Sequence, residues 1–201
     1  DACINSVRVG RGRCNVSNNT AVGTNALNYA TGQCNTAIGY QSAINTTGGC
    51  RNTAVGFNSL LANSSGNFNT AVGVQSMFCN TSGIANVAVG NAALNQNTTG
   101  TCNTALGYQT LYYNTSGCRN TAVGFNSLLS TTTGSFNAAL GEQSLRYNTT
   151  GQYNTGLGYR SSHSNTTAQG NTSVGFQSLY YNETGNYNAA VGMYALHKNT
   201  A

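Results

Sequence analysis

The side chains with chemistry to offer here are asparagine, threonine and cysteine rather than acids or histidines. The chain of 201 residues has three acids, Asp1, Glu142 and Glu183, and two histidines, His163 and His197. Glycoside hydrolysis needs a pair of carboxylates, and hard cations want several. Calcium-binding β-rolls want an Asp in each repeat. The expectation is therefore no enzyme, no metal site and no cofactor, with His163 and His197 as polar surface residues.

Asn-x-Ser/Thr, the acceptor motif for N-linked glycans, occurs at Asn45, Asn63, Asn80, Asn97, Asn114, Asn148, Asn165 and Asn182, and also at Asn15, Asn18 and Asn171. From Asn63 to Asn114 successive sites are 17 apart, and Asn148 to Asn182 keep that phase. Thr131 stands where one Asn is missing. Chance would scatter these sites over all phases, so the row predicts covalent glycans along one edge of the molecule. Seven cysteines fit a secretory route. Cys50 follows Cys34 by 16 (50 − 34), and Cys118 follows Cys102 by 16 (118 − 102). That spacing predicts two disulfides between neighbouring repeats, with Cys3–Cys14 as a third pair. Cys79 is left over, as a free thiol or an intermolecular bond.

These residues must be positioned by a repeat. Glycines at 23, 39, 56, 73, 90, 107, 124, 141, 158, 175 and 192 close an Asn-Thr-Ala-Val-Gly core, with steps of 17 after a first step of 16. A period this strict decides the architecture. The first position is Asn at residues 19, 35, 52, 69, 86, 103, 120, 137, 154, 171 and 188. The fourth is Val, Ile or Leu, the fifth Gly, and the ninth mostly Leu or Met, with Ala43 and Ser162 as exceptions. The twelfth to fifteenth typically read Asn-Ser/Thr-Ser/Thr-Gly. Paired glycines and residues that compete for backbone hydrogen bonds oppose a helix, and the apolar residues alternate.

The predicted fold is all-β: a single-chain parallel β-solenoid of about eleven 17-residue coils over residues 19–201, preceded by an atypical coil or docking segment at 1–18. At about 4.8 Å per rung the rod is about 50 Å long. Asn35, Asn52, Asn69, Asn86, Asn103, Asn120, Asn137, Asn154, Asn171 and Asn188 are expected to form an internal amide ladder. The fourth-position Val and ninth-position Leu columns are expected to fill the core. The third-position Ala and fifth-position Gly then face away, either for a tight bend or for close approach of another chain.

The Asn-Thr-Ala-Val-Gly-Phe/Tyr unit resembles the repeat in the heads of YadA-type trimeric autotransporter adhesins, with related repeats in phage-type tail fibres. The resemblance covers about residues 19–201 and implies a left-handed parallel β-roll and a trimer. The extra Asn-Ser/Thr-Ser/Thr-Gly turn and the missing coiled-coil stalk depart from that family.

Charged residues are only 5% of the chain, and its eight basic residues are scattered apart from Arg8, Arg11 and Arg13. That argues against a nucleic-acid groove. No run of 18 apolar residues suggests a membrane span. No signal peptide is visible, and Asp1 reads as a mature N-terminus. The functional expectation is a secreted structural glycoprotein at a cell or virion surface, a subunit polymerising head-to-tail with itself. In that register residues 1–4 complete the coil that Ala201 leaves open. The alternative is a trimeric adhesin or tail-fibre shaft binding a receptor or matrix, with the small columns on its threefold axis. A third class is an ice-binding protein. Against it, Val87, Ala138 and Ala189 interrupt the second-position Thr column, and glycans would shadow the turn threonines.

Overall fold

The structure, a computed structural model, describes residues 2–4 and 7–200. Asp1, Asn5, Ser6 and Ala201 lie outside the described residues, and with them the register argument at the termini. The chain is all-β, a single sheet of thirteen strands in sequence order. Strands β1 (Ala2–Ile4) and β2 (Val7–Gly10) precede eleven three-residue strands. These are β3 (Thr20–Val22), β4 (Thr36–Ile38), β5 (Thr53–Val55), β6 (Thr70–Val72), β7 (Val87–Val89), β8 (Thr104–Leu106), β9 (Thr121–Val123), β10 (Ala138–Leu140), β11 (Thr155–Leu157), β12 (Thr172–Val174) and β13 (Ala189–Val191). From β3 to β13 every joint is parallel and pairs equivalent residues, as in Thr53↔Thr70, Ala54↔Ala71 and Val55↔Val72. This is the β-solenoid that the 17-residue period demands. At about 4.8 Å per strand its eleven stacked strands span about 48 Å.

The N-terminal segment is not a coil. β1 and β2 form an antiparallel hairpin, and β2 lies antiparallel on β3. The following turn bends at Gly12, φ +82°, and closes with Asn15 N–H donating to the Gly12 carbonyl at 3.0 Å.

The phase of the strands also corrects the sequence reading. The third-position Ala points inward: Ala54, Ala71, Ala88, Ala105 and Ala122 are fully buried. They pack with Leu60, Met77, Leu94, Leu111 and Leu128 in one cluster. The fourth-position residues face out, with Ile38, Val89, Leu106, Leu140 and Leu157 exposed. The coil is too narrow for branched side chains from both walls. In the ninth coil the space is tighter still, and a methyl at Gly156 would press on the Ser144 and Ser161 hydroxyls and the Leu145 side chain. A two-residue alternation sets the period but not which face is inside, and core thickness sets the phase.

Leucine reaches the core from an unusual backbone. The ninth position is left-handed throughout, for example Leu60 at φ +50° and Leu111 at φ +50°, and so are the seventh and seventeenth. Such a conformation costs an L-residue about 1–2 kcal/mol. Here it is held by rung-to-rung bonds such as Leu60 N–H to the Ser76 carbonyl at 2.9 Å and Asn58 N–H to the Tyr40 carbonyl at 3.0 Å. The fifth position is different, because its φ of +119° to +137° suits glycine alone.

Gly56, φ +136°, is a sharp test of that column. A Cβ there would lie 2.5 Å from the Gly73 carbonyl oxygen and 2.7 Å from its carbon. Gly56→Ala is expected to destabilise the fold by about 3 kcal/mol or more, lowering Tm by roughly 6–12 °C in thermal melting. A change below about 2 °C would show that the column can spread.

Candidate functional site

The repeated side chains form columns, and most columns are occupied with holding the rod together. The first is the predicted Asn ladder. Each Asn backbone N–H donates to the side-chain oxygen of the Asn one coil earlier, at 2.8–3.0 Å. Each amide nitrogen donates across the coil to the carbonyl at the end of the outer turn, at 2.7–2.9 Å from Asn19 to Asn171. Asn35 through Asn171 are buried and Asn188 is half-buried.

The sequon row is a second ladder, and this overturns the predicted edge of glycans. Asn63, Asn80, Asn97, Asn114, Asn148, Asn165 and Asn182 are fully buried. Asn80 Nδ2 donates to Asn63 Oδ1 at 2.8 Å, Asn97 to Asn80 at 2.7 Å, Asn114 to Asn97 at 2.8 Å, and Asn165 to Asn148 at 2.8 Å. The same nitrogens donate to the carbonyl that closes their own turn, as in Asn63 to Gly66 at 3.0 Å. The nitrogen that would carry a sugar is thus bonded and enclosed. Asn171 is buried in the first ladder. Only Asn15, Asn18 and Asn45 keep exposed side chains among the predicted sites. Asn45 is one position out of phase, and Thr46 takes the buried ladder position beside it.

The disulfide pairs are corrected as well: all seven cysteines are free thiols. Counted back from the ladder Asn, Cys34 and Cys102 fall in the seventeenth column, Cys50 and Cys118 in the sixteenth. Cys102 has φ +58° and is exposed, with Arg119 in its column one coil on. Cys118 Sγ accepts from the Thr101 N–H at 3.3 Å and donates to the Ser116 carbonyl at 3.2 Å. Cys50 Sγ accepts from the Gln33 N–H at 3.4 Å. One column of offset turns the paired sulfurs to different neighbours. Cys3 and Cys14 are exposed and unbridged. Cys79 is half-buried, donates to Gln96 Oε1 at 3.7 Å, and has its thiol pKa raised by burial.

Two further columns are structural. Threonine and serine hydroxyls of the thirteenth position donate to the carbonyl one coil on, as in Thr81 to Thr98 at 2.9 Å and Thr98 to Thr115 at 2.9 Å. Eighth-position serines are buried and bond backbone or each other, as in Ser144 to Ser161 at 2.8 Å. Sixth-position rings stack as Tyr40–Phe57 and again, four coils on, as Tyr108–Phe125. Arg51 over Phe68 recurs at the same interval as Arg119 over Phe136.

His163 is buried rather than a surface residue. Its ring stacks on Tyr180 at 4.8 Å and meets the edge of Tyr147 at 5.0 Å, and neither nitrogen has a partner. Burial, then Arg160 and Arg146, push its pKa down to about 4. Among the described residues, the groups able to donate and accept are therefore distributed among structural columns. No helix among the described residues is long and apolar enough to cross a membrane. Protein-family models, curated proteins and solved structures offer no match to the chain.

The second ladder shows what sequence reasoning misses. The fixed Asn of the twelfth position reads as turn chemistry, but a turn also tolerates Gly, Asp and Ser. Asn alone, repeated at one phase, signals a side chain that must both donate and accept.

Thr131 breaks the second ladder and leaves Asn114 Oδ1 and its own hydroxyl buried without partners. Thr131→Asn is expected to give Asn114 Oδ1 its donor and to stabilise by about 1–2 kcal/mol, raising Tm by roughly 2–8 °C in calorimetry. No gain would mean that water already serves this gap. His163 gives a pH test. Its folded pKa lies below the ordinary 6.5, so the unfolded chain takes the proton first as pH falls. Stability is lost between about 6.5 and 4. Tm of His163→Tyr is expected to fall less than that of the wild type across this window. Parallel curves would refute the assignment.

Proposed function

We propose that the chain is a structural rod, the repeating subunit of an extracellular filament in which copies stack head-to-tail. One observation carries this reading: the rod's repeating polar columns are spent on bonding one coil to the next. Side chains that an enzyme would present are instead consumed in Asn and hydroxyl ladders. Among the described residues β1 and β13 are the two end strands of the sheet. A strand added there by a continuing chain or by a second copy would extend the sheet. Because β1 is antiparallel to β2 and β2 to β3, β1 runs in the same direction as β13. A second copy can therefore add parallel strand to parallel strand.

The low charge and the exposed sequons at Asn15, Asn18 and Asn45 support an extracellular setting, with glycans confined to the first coils. The resemblance to YadA-type heads supports the same class of surface structure. Its threefold packing on small columns loses its ground, because the Ala column is each chain's own core.

Negative-stain electron microscopy of the native material, with intact mass and glycopeptide mapping, tests this reading. Expected are uniform fibres much longer than one subunit, with added mass only at Asn15, Asn18 or Asn45. Discrete rods one subunit long would overturn the filament. Sugar on Asn97 or Asn114 would overturn the second ladder.

A further inference from the structure

The outer face of the sheet is a set of columns that the fold leaves unused. Positions two and four of each coil, the first and third residues of its strand, point outward together, so the face carries two parallel files. One is Thr36, Thr53, Thr70, Thr104, Thr121, Thr155 and Thr172, interrupted by Val87 and Ala138. The other is aliphatic throughout, Ile38, Val55, Val72, Val89, Leu106, Val123, Leu140, Leu157 and Val174. Neither file contains a charged residue from β3 to β13.

The threonines of the thirteenth position and those of the strands are treated differently. Those of the thirteenth position donate to the next coil's carbonyl, as Thr115 does to Thr132 at 3.1 Å and Thr149 to Thr166 at 3.0 Å. The outward threonines of the strands have their backbone N–H groups bonded, as Thr53 to the Asn69 carbonyl at 2.8 Å. Among the described residues their hydroxyls have no partner. Each is held on a β-branched side chain with a restricted χ1, at a pitch of about 4.8 Å along the rod and about 6.6 Å from the aliphatic residue two along. The first-position Asn ladder holds that pitch from Asn19 to Asn188, the kind of side-chain ladder that keeps large sheets flat.

We infer that this face is a binding surface for ice. Its hydroxyls can each donate to and accept from water at a fixed pitch close to the oxygen repeat of hexagonal ice. The methyl and aliphatic groups between them fit hollows of a water lattice without competing for its hydrogen bonds. Charges, which would order water radially about themselves, are absent from both files. The face is prearranged, so little conformational entropy is lost on contact. The interruptions fall three coils apart, at residues 87, 138 and 189 (steps of 51), and are filled by Val, Ala and Ala. They leave a run of four Thr before Val87 and pairs of Thr between Val87 and Ala138 and between Ala138 and Ala189. The Asn row that would have shadowed the turns with sugar is buried and lies off this face.

The test uses the full chain. Ice-crystal growth is followed in a nanolitre osmometer for the wild type, for Thr104→Tyr/Thr121→Tyr, and for Thr133→Tyr on an exposed turn. Tyrosine suits strands, and circular dichroism and thermal melting confirm that each variant keeps the solenoid. The inference expects faceted crystals and a hysteresis gap for the wild type, loss of both in the double variant, and retention in Thr133→Tyr. Ice growth unaffected by the wild type overturns it, and so does equal activity in the double variant. Sedimentation decides the remaining case. If the wild type associates side by side, the double variant does not, and ice is indifferent to both, the face belongs to a second copy of the chain and the inference fails.

Discussion

The carboxamide of the first-position Asn is the interaction on which the rest of this structure depends. Its oxygen accepts from the backbone of the coil on one side and its nitrogen donates to a carbonyl across its own coil, all within 2.7–3.0 Å at Asn52 and Asn69. Both ends of the side chain are therefore fixed by partners whose spacing is the pitch of a parallel sheet. No other uncharged side chain of that length offers both an acceptor and a double donor. With the pitch fixed, each coil has the same length, and each column acquires one environment. The left-handed leucines, the glycine column and the thin core follow from this, since every coil must return to the same place within one repeat.

The core is weak by the standards of a globular domain. Alanine facing leucine buries little apolar area per residue. The compensation is polar. Buried side-chain amides and hydroxyls in low dielectric strengthen one another along a chain of hydrogen bonds, and an unmet one costs about 1–3 kcal/mol. Stability in this rod is therefore mostly a matter of complete ladders, which explains how a protein with 5% charged residues and a core of alanine and leucine can hold thirteen strands.

This also explains what can be read from the sequence. The period, the fold class, the Asn ladder and the coil length are legible, because they depend on spacing alone. The inward face is not. Ala-Val alternation is symmetric until the thickness of the core is known, and Ala54 rather than Val55 proves to be inside. The sequons at Asn63 through Asn182 are legible as a column but not as a buried one, because the same motif serves a turn, a sugar or a ladder. The cysteine spacing fails for a geometric reason. A difference of 16 in a 17-residue repeat looks like neighbouring rungs, yet it shifts the sulfur by one column. The left-handed ninth position has no signal at all, since leucine is a poor residue for it and only the coil's closure requires it.

The ninth coil, residues 154–170, shows how far such a lattice tolerates departure. It carries Gly156 for Ala, Ser162 for Leu, Ala168 for Gly, and the buried His163. Losing the leucine would leave a buried hydroxyl, but Ser173 on the next coil replaces alanine and accepts from Ser162 at 2.8 Å, then donates to the Thr155 carbonyl at 3.2 Å. Ala168 still supplies its carbonyl to Asn154 at 2.7 Å, so the first ladder passes through unbroken. His163 packs against rings on both sides but leaves its nitrogens unmet. Departures are thus absorbed where a neighbour in the adjacent coil changes with them, and remain as defects where none does. In a one-dimensional lattice each coil touches only the two beside it, so a fault is corrected within one step or persists locally. The outward face is exempt from this constraint because nothing among the described residues bonds to its hydroxyls. That it nevertheless keeps a regular, uncharged pattern is the reason to look for a ligand there.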